Sequence, residues 1–326
     1  MTRLGYNMIP TARRALLSAL LVLISPVPPD TAQEATAQEA PPAASDPTRM
    51  SVDVNLVLLN AAVTDHKGRV VSDLSEQDFK VYEDSAPQRI KFFSREDHAV
   101  TAGLIVDHSG SMRRKLADVS AGARTFVQAS HPDDQMFVVN FNEHVSSGLP
   151  PLTRFSNDPA QLEQAIANAP ATGKTALYDA VVKALGMLKE GGPDKKVLLV
   201  ISDGGDNAST HTRAETLKLA EQSSAIIYCV GIFDEDDPDR NPKLLKRLAE
   251  VTGGLAFFPT EPGEVSNICA RIARDIRNQY IIGYSPSKPA RPGEFRSIRV
   301  TASAPHHGKL VVRTRTGYRV GGEPKP

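Results

Sequence analysis

From Ala99 onward, short apolar runs alternate with amphipathic segments of helical length, and this alternation restricts the chain to one broad architecture. Strands separated by helices favour a mostly parallel sheet, because a parallel connection has to return along the sheet and its helix covers a face on the way. We therefore predict a doubly wound, mostly parallel α/β domain over residues 99–279. Its predicted strands are residues 102–106, 135–141, 196–201, 225–233 and 255–258, and its predicted helices are residues 114–129, 175–188, 213–222, 242–251 and 264–279.

The segments on either side of this domain carry a different pattern. Residues 50–98 and 280–320 contain short β-type runs that are separated by turn signals, which is typical of antiparallel sheets. The run over residues 295–301, for example, alternates between apolar and polar side chains. We expect the two segments to pack together as one small accessory antiparallel β-unit, with the α/β domain inserted between them.

The first 37 residues have the pattern of a secretory signal peptide. Arg13 and Arg14 precede an apolar run over residues 15–25, prolines follow that run, and small residues at 35–37 offer a cleavage site. The run is too short to span a membrane comfortably, so we predict a secreted or periplasmic protein without a stable membrane anchor. The adjacent arginines leave both the Sec and the Tat route open. Residues 38–49 are predicted to be a flexible linker, and residues 321–326 a disordered tail.

The charge balance excludes one class of partner. The chain has 38 Lys and Arg residues against 38 Asp and Glu residues, so it lacks the basic surplus that phosphate backbones require. We therefore expect no nucleic-acid partner.

Two cysteines, Cys229 and Cys269, are the only ones in the chain. Export would place them in an oxidising compartment where a disulfide can form. Both lie in apolar runs, so we favour two small buried residues, although the spacing alone does not exclude a bridge.

Hydroxyl and carboxyl side chains follow two of the predicted strands. Asp107, Ser109 and Ser111 come directly after the first strand, and Asp203 follows the strand at 196–201. Thr175 stands at a predicted helix start, where its hydroxyl can either cap the helix or bind a metal. Ligands of doubly wound sheets bind outside the carboxyl ends of the strands, so we expect these side chains to meet there. Because they are hard oxygen ligands, the sequence predicts one divalent cation at this edge.

In chain order, the pattern Asp-x-Ser-x-Ser, then Thr before a helix, then Asp after a later strand resembles the metal-ion-dependent adhesion site (MIDAS) of the von Willebrand factor type A (VWFA) domain. The resemblance implies a Rossmann-like VWFA fold for the α/β domain. It also implies that Asp107, Ser109, Ser111, Thr175 and Asp203 surround one Mg²⁺, or alternatively Mn²⁺ or Ca²⁺, with Asp203 acting directly or through water. The flanking stretches 63–84, 279–284 and 315–318 are similar to the bacterial VWFA-related family of exported proteins, also called the acidobacterial VWFA-related domain.

Charge counting at such a site indicates how it would work. Two carboxylates balance a dication while the hydroxyl ligands stay neutral, so the metal can still accept an anionic ligand. We therefore expect a non-enzymatic module for cell adhesion or protein–protein interaction, whose protein partner supplies an Asp or Glu. Arg113 and Arg114 stand where some relatives carry acidic residues of an adjacent metal site, which favours acidic partners over a second metal. A structural or assembly factor of an envelope complex is the alternative.

Three other patterns in the sequence imitate known functional sites without matching them. Residues 168–175 imitate the end of a phosphate-binding loop, but Asn168 occupies the place of its first glycine, so we expect no nucleotide. Residues 234–239 are rich in carboxylates yet lack the glycine and final Glu of a calcium loop, and we predict a solvated loop. A hydrolase that uses His108 and Ser109 is disfavoured, because adjacent residues rarely reach the required geometry; we place His108 at the rim.

Overall fold

The computed structural model describes residues 56–233, 238–261 and 263–320. The predicted signal peptide, the linker, the first residues of the N-terminal β segment, the 321–326 tail and four residues of the acidic loop lie outside the described residues. The described strands are β1 (Val57–Asp65), β2 (Phe79–Glu83), β3 (Ala86–Gln88), β4 (Ile90–Ser94), β5 (Val100–Asp107), β6 (Gln135–Phe141), β7 (Val145–Ser147), β8 (Lys195–Ser202), β9 (Ile226–Gly231), β10 (Ala256–Phe257), β11 (Tyr280–Tyr284), β12 (Phe295–Ala302), β13 (Leu310–Arg313) and β14 (Gly317–Arg319). The α-helices are α1 (Leu116–Gln128), α2 (Pro159–Ala167), α3 (Leu177–Leu188), α4 (Arg213–Gln222), α5 (Pro242–Thr252) and α6 (Glu264–Arg277).

The central sheet has six strands in the order β10-β9-β8-β5-β6-β7. All neighbouring strands are parallel except β6 and β7. Every residue of β5 is buried. Helices cover both faces of the sheet: α1 packs against α6, and α4 packs between α3 and α5. Strands that are buried on both faces need continuous apolar runs, and this is the pattern on which the prediction rested. The predicted fold class is confirmed.

The order of the strands reverses beside β5. The chain continues from β5 to β6 on one side, and it later returns to β8 on the other side. The connections that leave the carboxyl ends of β5 and β8 therefore diverge, which opens a crevice above these two strand ends.

The flanking segments form two further sheets of four antiparallel strands each, in the orders β13-β1-β11-β4 and β14-β12-β2-β3. The two sheets share one apolar core, which includes Leu59, Val81, Ile282 and Val300. Both sheets contain strands from before and after the α/β domain: β1 pairs with β11 and β13, and β2 pairs with β12. The accessory antiparallel unit of the predicted fold class is therefore present as a small β-sandwich.

Polar contacts join the sandwich to the α/β domain. Tyr228 Oη in β9 donates a hydrogen bond of 2.5 Å to Asp275 in α6 and accepts one of 2.9 Å from Gln279. Arg313 in β13 forms an ion pair with the same Asp275. Arg315 donates to two carbonyls at the C-terminal end of α4, where the helix dipole favours a cation. Arg313 and Arg315 therefore join the sandwich to the C-terminal parts of α6 and α4.

The two cysteines are separate buried residues. Cys229 lies in β9 and Cys269 lies in α6, and both are free thiols. The interpretation as two buried residues is confirmed. Burial raises the pKa of both thiols, that of Cys269 to about 12, so neither is poised to react as a thiolate.

No helix in the described part of the chain is both long enough and apolar enough to cross a membrane.

Candidate metal centre

The carboxyl ends of β5 and β8 bring two carboxylates together in the crevice. Asp107 is the last residue of β5, and Asp203 directly follows the last residue of β8. Ser109 N donates a hydrogen bond of 2.8 Å to Asp107 Oδ1. Ser111 Oγ lies 3.1 Å from Ser109 Oγ and donates a hydrogen bond of 2.5 Å to Asp203 Oδ2. Four of the five predicted ligands thus form one hydrogen-bonded group.

Thr175, the fifth predicted ligand, is fixed by its backbone. Its N–H donates to Asn207 Oδ1 at 2.9 Å, and its carbonyl accepts from the N–H groups of Asn207 and Ala208. The cap position of α3 is Ala176, which has no side chain that could cap the helix. Within the described residues the Thr175 hydroxyl makes no hydrogen bond, so it remains available to a ligand.

The loop before Thr175 is tied to the loop after β5. Gly110 N donates to Gly173 O at 3.1 Å, and Thr172 N donates to His108 O at 3.0 Å. Gly173 has a φ of +81°, and a Cβ atom there would stand 1.9 Å from the Glu143 carboxylate. This left-handed backbone conformation favours glycine, and a larger residue would also displace the Glu143 side chain.

The electrostatics of the group fit a cation. Burial, followed by the negative charge of Asp203, raises the pKa of Asp107 to about 6, although hydrogen bonds from Ser109 and Ser202 act in the opposite direction. A dication between the two carboxylates would relieve this repulsion and the cost of burying the charge. The described residues contain no group of three or more His, Cys, Asp or Glu side chains that could hold a metal. A cation between Asp107 and Asp203 would therefore take its other protein ligands from the serine and threonine hydroxyls.

The group is open on one side. Asp107, Ser109, Thr175 and Asp203 are at most 6% exposed, whereas Ser111 is partly exposed. Exposed residues border it at 110 and 113–114 after β5, and at 172–174 before α3. A ligand would therefore reach the site between these two segments.

Two residues that hold the predicted ligands were missed by the sequence analysis. Ser202 Oγ donates a hydrogen bond of 2.6 Å to Asp107 Oδ2 and accepts one of 3.0 Å from Gly204 N. Asn207 fixes the backbone of Thr175, as described above. The available signal was their position, since Ser202 is the last residue of β8 and Asn207 belongs to the polar run that follows it.

His108 is not at the rim, contrary to the sequence-based expectation. The residue is 2% exposed, because the chain turns it inward directly after β5 while its N–H donates to Phe141 O. Burial lowers the pKa of His108. In the described structure no hydrogen bond joins its ring to Ser109 Oγ, whose bond goes to Ser111. The pair therefore lacks the geometry of a nucleophile and its base.

The structure also locates the segment that imitates a phosphate-binding loop and the described end of the acidic loop. Residues 168–175 follow the end of α2, whereas a phosphate-binding loop follows a strand. The described end of the acidic loop borders the crevice: Asn207 Nδ2 donates to Asp239 Oδ2 at 3.1 Å, and Asn241 N donates to Asp203 O at 3.1 Å. The carboxylates at 234–237 lie outside the described residues.

The α/β domain is similar to known proteins. A family model described as von Willebrand factor type A domain matches residues 103–205, which include all five predicted ligands. No curated protein matches the chain significantly. A von Willebrand factor type A structure from Catenulispora acidiphila is similar in fold, with 15% identity, a TM-score of 0.50, and coverage of 70% of this chain and 67% of that chain.

Two further structures are similar over a smaller part of the chain. The protein BatB from Bacteroides thetaiotaomicron has 14% identity and a TM-score of 0.45, with 55% of this chain and 98% of that chain covered. Proximal thread matrix protein 1 from the mussel byssus, solved with zinc in its MIDAS motif, has 15% identity and a TM-score of 0.49, with 60% of this chain and 50% of that chain covered.

Proposed function

The chain carries a von Willebrand factor type A domain, and we propose that it is an exported, non-enzymatic interaction module that binds a protein partner through a divalent metal ion. Asp107, Ser109, Ser111, Thr175 and Asp203 would hold the ion, with Mg²⁺ as the preferred metal and Mn²⁺ or Ca²⁺ as substitutes. An Asp or Glu of the partner would complete the coordination. Export rests on the signal-peptide pattern of residues 1–37.

One observation carries this proposal: two carboxylates, Asp107 and Asp203, stand at the ends of neighbouring strands. They are linked through the backbone N–H of Ser109 and the hydroxyls of Ser109 and Ser111. The raised pKa of Asp107 means that the carboxylate is held at a cost when no cation is near. Because the hydroxyl ligands are neutral, the ion would keep positive charge for an incoming carboxylate. A short contact of this kind contributes strongly only when it is surrounded by a well-packed interface.

The residues around the site support binding rather than catalysis. Ser109 Oγ has its hydrogen bond to Ser111 and none to the adjacent histidine ring. A serine that ligates a metal is not thereby a nucleophile, since nucleophilic attack also needs a base that takes its proton.

A metal-dependent pull-down tests the proposal. The tagged chain is used to capture proteins from the envelope fraction of its own organism, in Mg²⁺ and in chelator, as wild type and as Asp107→Ala. Asp133→Ala is the matched control, because this exposed carboxylate lies before β6, at the opposite end of the central sheet. We expect a set of partners that is captured by the wild type and the control in Mg²⁺ only, and is lost from Asp107→Ala.

The same experiment distinguishes this proposal from the alternative, a structural or assembly factor of an envelope complex. Capture of the same partners in all of these conditions would contradict a metal-centred contact. It would favour a structural or assembly role in an envelope complex that uses another surface.

A further inference from the structure

Arg113 occupies one wall of the open side of the site. It follows the turn that carries Ser111, and its side chain crosses to the loop before α3, where Nε donates a hydrogen bond of 3.2 Å to Ala171 O. The residue is exposed. Its two terminal nitrogens have no hydrogen-bond or ion-pair partner among the described residues. The guanidinium is therefore anchored at one nitrogen while its outer edge stays available.

We propose that Arg113 is a second anchor for the partner, and that it binds a second carboxylate next to the one on the metal. A guanidinium presents two parallel N–H donors that match the two oxygens of a carboxylate, which a lysine cannot do. Because the Nε bond already orients the side chain, little additional ordering is needed when the partner binds. The partner segment thus carries two acidic side chains, one for the metal and one for Arg113. This inference rests on the metal-centred function proposed above.

The charges around the opening agree with an acidic partner. Arg114 is exposed beside Arg113, and Lys174 is exposed on the opposite wall. The Glu143 carboxylate accepts the backbone N–H of Lys174 at 2.7 Å, which holds it against the 173–174 loop. Asp239, at the described end of the acidic loop, also borders the crevice, where it accepts a hydrogen bond from Asn207 Nδ2. The segments 110–114 and 172–174, between which a ligand enters, carry three basic side chains and no acidic one.

Peptide binding to the full chain, as its expression host exports it, tests the proposal. The probes are fluorescein-labelled glycine-rich peptides with one central Asp, and a series that adds one Glu at each other position in turn. Fluorescence anisotropy in Mg²⁺ and in chelator gives the affinity of each peptide. We expect at least one peptide with two acidic residues to bind the wild type about tenfold more tightly than the peptide with one, in Mg²⁺ only.

Three variants test whether the higher affinity for the peptide with two acidic residues depends on Arg113. Arg113→Ala and Arg113→Lys are both expected to lose it, the latter because it keeps the charge but not the paired donors. Arg114→Ala removes the same charge one residue away, and the ratio of the two affinities should stay as in the wild type. Unchanged thermal melting of each variant shows that the fold is intact.

The outcomes separate this inference from the proposed function. A gain that survives in Arg113→Ala, or that is lost equally in Arg114→Ala, overturns the second anchor while metal-dependent binding of the one-acid peptide still stands. Failure of every peptide with two acidic residues to bind in Mg²⁺ would overturn the second anchor, whereas the metal-centred function itself is overturned by the pull-down described above.

Discussion

Ser202 Oγ lies 2.6 Å from Asp107 Oδ2 and donates a hydrogen bond to it across the neighbouring strands β8 and β5. Both residues are fully buried. The other carboxylate oxygen, Oδ1, accepts from Ser109 N, so the orientation of the carboxylate is set from two sides. A side chain that does not belong to the five predicted ligands thus controls how one of them faces the crevice.

Ser202→Ala should therefore weaken metal binding without removing any ligand. The buried Asp107 carboxylate would lose a donor and its fixed orientation, and such losses behind a metal ligand typically cost on the order of tenfold to a hundredfold in affinity. Titration calorimetry with Mg²⁺ or Mn²⁺ measures the effect. Ser146→Ala, in the exposed strand β7, is the control and should leave the affinity unchanged. Wild-type affinity in Ser202→Ala would show that the hydrogen bond has no part in the site.

Thr175 should contribute to metal binding through its hydroxyl alone. A ligand at a concentration of about a hundred times its Kd stabilises a folded protein by about 2.7 kcal/mol, so saturating Mg²⁺ should raise the Tm of the wild type by several degrees. Thr175→Ser keeps the hydroxyl and should keep the increase, whereas Thr175→Ala should show a smaller one at the same Mg²⁺ concentration. Thermal melts with Mg²⁺ and with chelator measure it. Equal increases in the two variants would remove Thr175 from the ligand set.

Asp179 in α3 should make stability depend on pH in the acidic range. Burial alone would raise the pKa of this carboxyl, but hydrogen bonds from the backbone of Thr210 and His211 and from their side chains outweigh burial and lower it to about 2. The folded-state pKa lies below the ordinary value of 3.8, so the stabilisation is present above about pH 4 and is lost as pH falls through 2.

From this shift, Asp179→Asn should lower the free energy of unfolding by about 2 kcal/mol at neutral pH. The difference from the wild type should shrink below pH 4 and vanish near pH 2. Urea unfolding of both proteins over a series of pH values measures it. A difference that stays constant over the whole range would contradict the assignment.

The two thiols should be inert in the folded protein. Because Cys229 and Cys269 are buried and burial raises their pKa, an aromatic disulfide reagent at neutral pH should label neither of them in the native state. In guanidinium chloride it should label both cysteines of the chain. Labelling of fewer than both after unfolding without reductant would reveal a disulfide and contradict the structure.

The stability of the β-sandwich should depend on the hydrogen bonds that the Glu83 carboxylate accepts. This residue is 3% exposed, and its carboxylate accepts hydrogen bonds from Tyr284 Oη at 2.6 Å and from Tyr318 Oη at 3.0 Å. Removing one donor from a buried carboxylate costs on the order of 2 kcal/mol, so Tyr284→Phe should lower the free energy of unfolding by about that amount.

Two further variants accompany this prediction. Tyr82→Phe is the control, because Tyr82 Oη makes no hydrogen bond within the described residues, and it should have little effect. The double variant of Tyr284 and Tyr318 should deviate from additivity, since both hydroxyls serve one carboxylate. Purely additive losses would show that the two tyrosines act independently.

The sequence predicted the central sheet because its strands are buried on both faces and therefore lack alternation. The meeting of Asp107 and Asp203 was predictable for a related reason: parallel neighbours such as β5 and β8 end at the same edge. The direction of single side chains at the strand ends was not predictable. His108 turns inward and Ser202 turns towards Asp107, and both orientations depend on turns whose backbone angles no local pattern specifies.

The sequence could not predict which strands of the sandwich pair with one another. Alternation identified its strands, but β1 pairs with β11 through residues such as Val57 and Tyr284, which are more than two hundred positions apart. Local patterns carry no information on pairing over such separations, and the division into two sheets follows from that pairing.

The position of β1 between β11 and β13 sets an order of events during synthesis. The ribosome makes β1 early, yet both of its neighbours lie in the last fifth of the chain. The six strands of the central sheet pair only with one another among the described residues, so that domain can complete its sheet first. A nascent chain that stops before residue 280 therefore contains all of the central sheet and neither of the two strands that pair with β1.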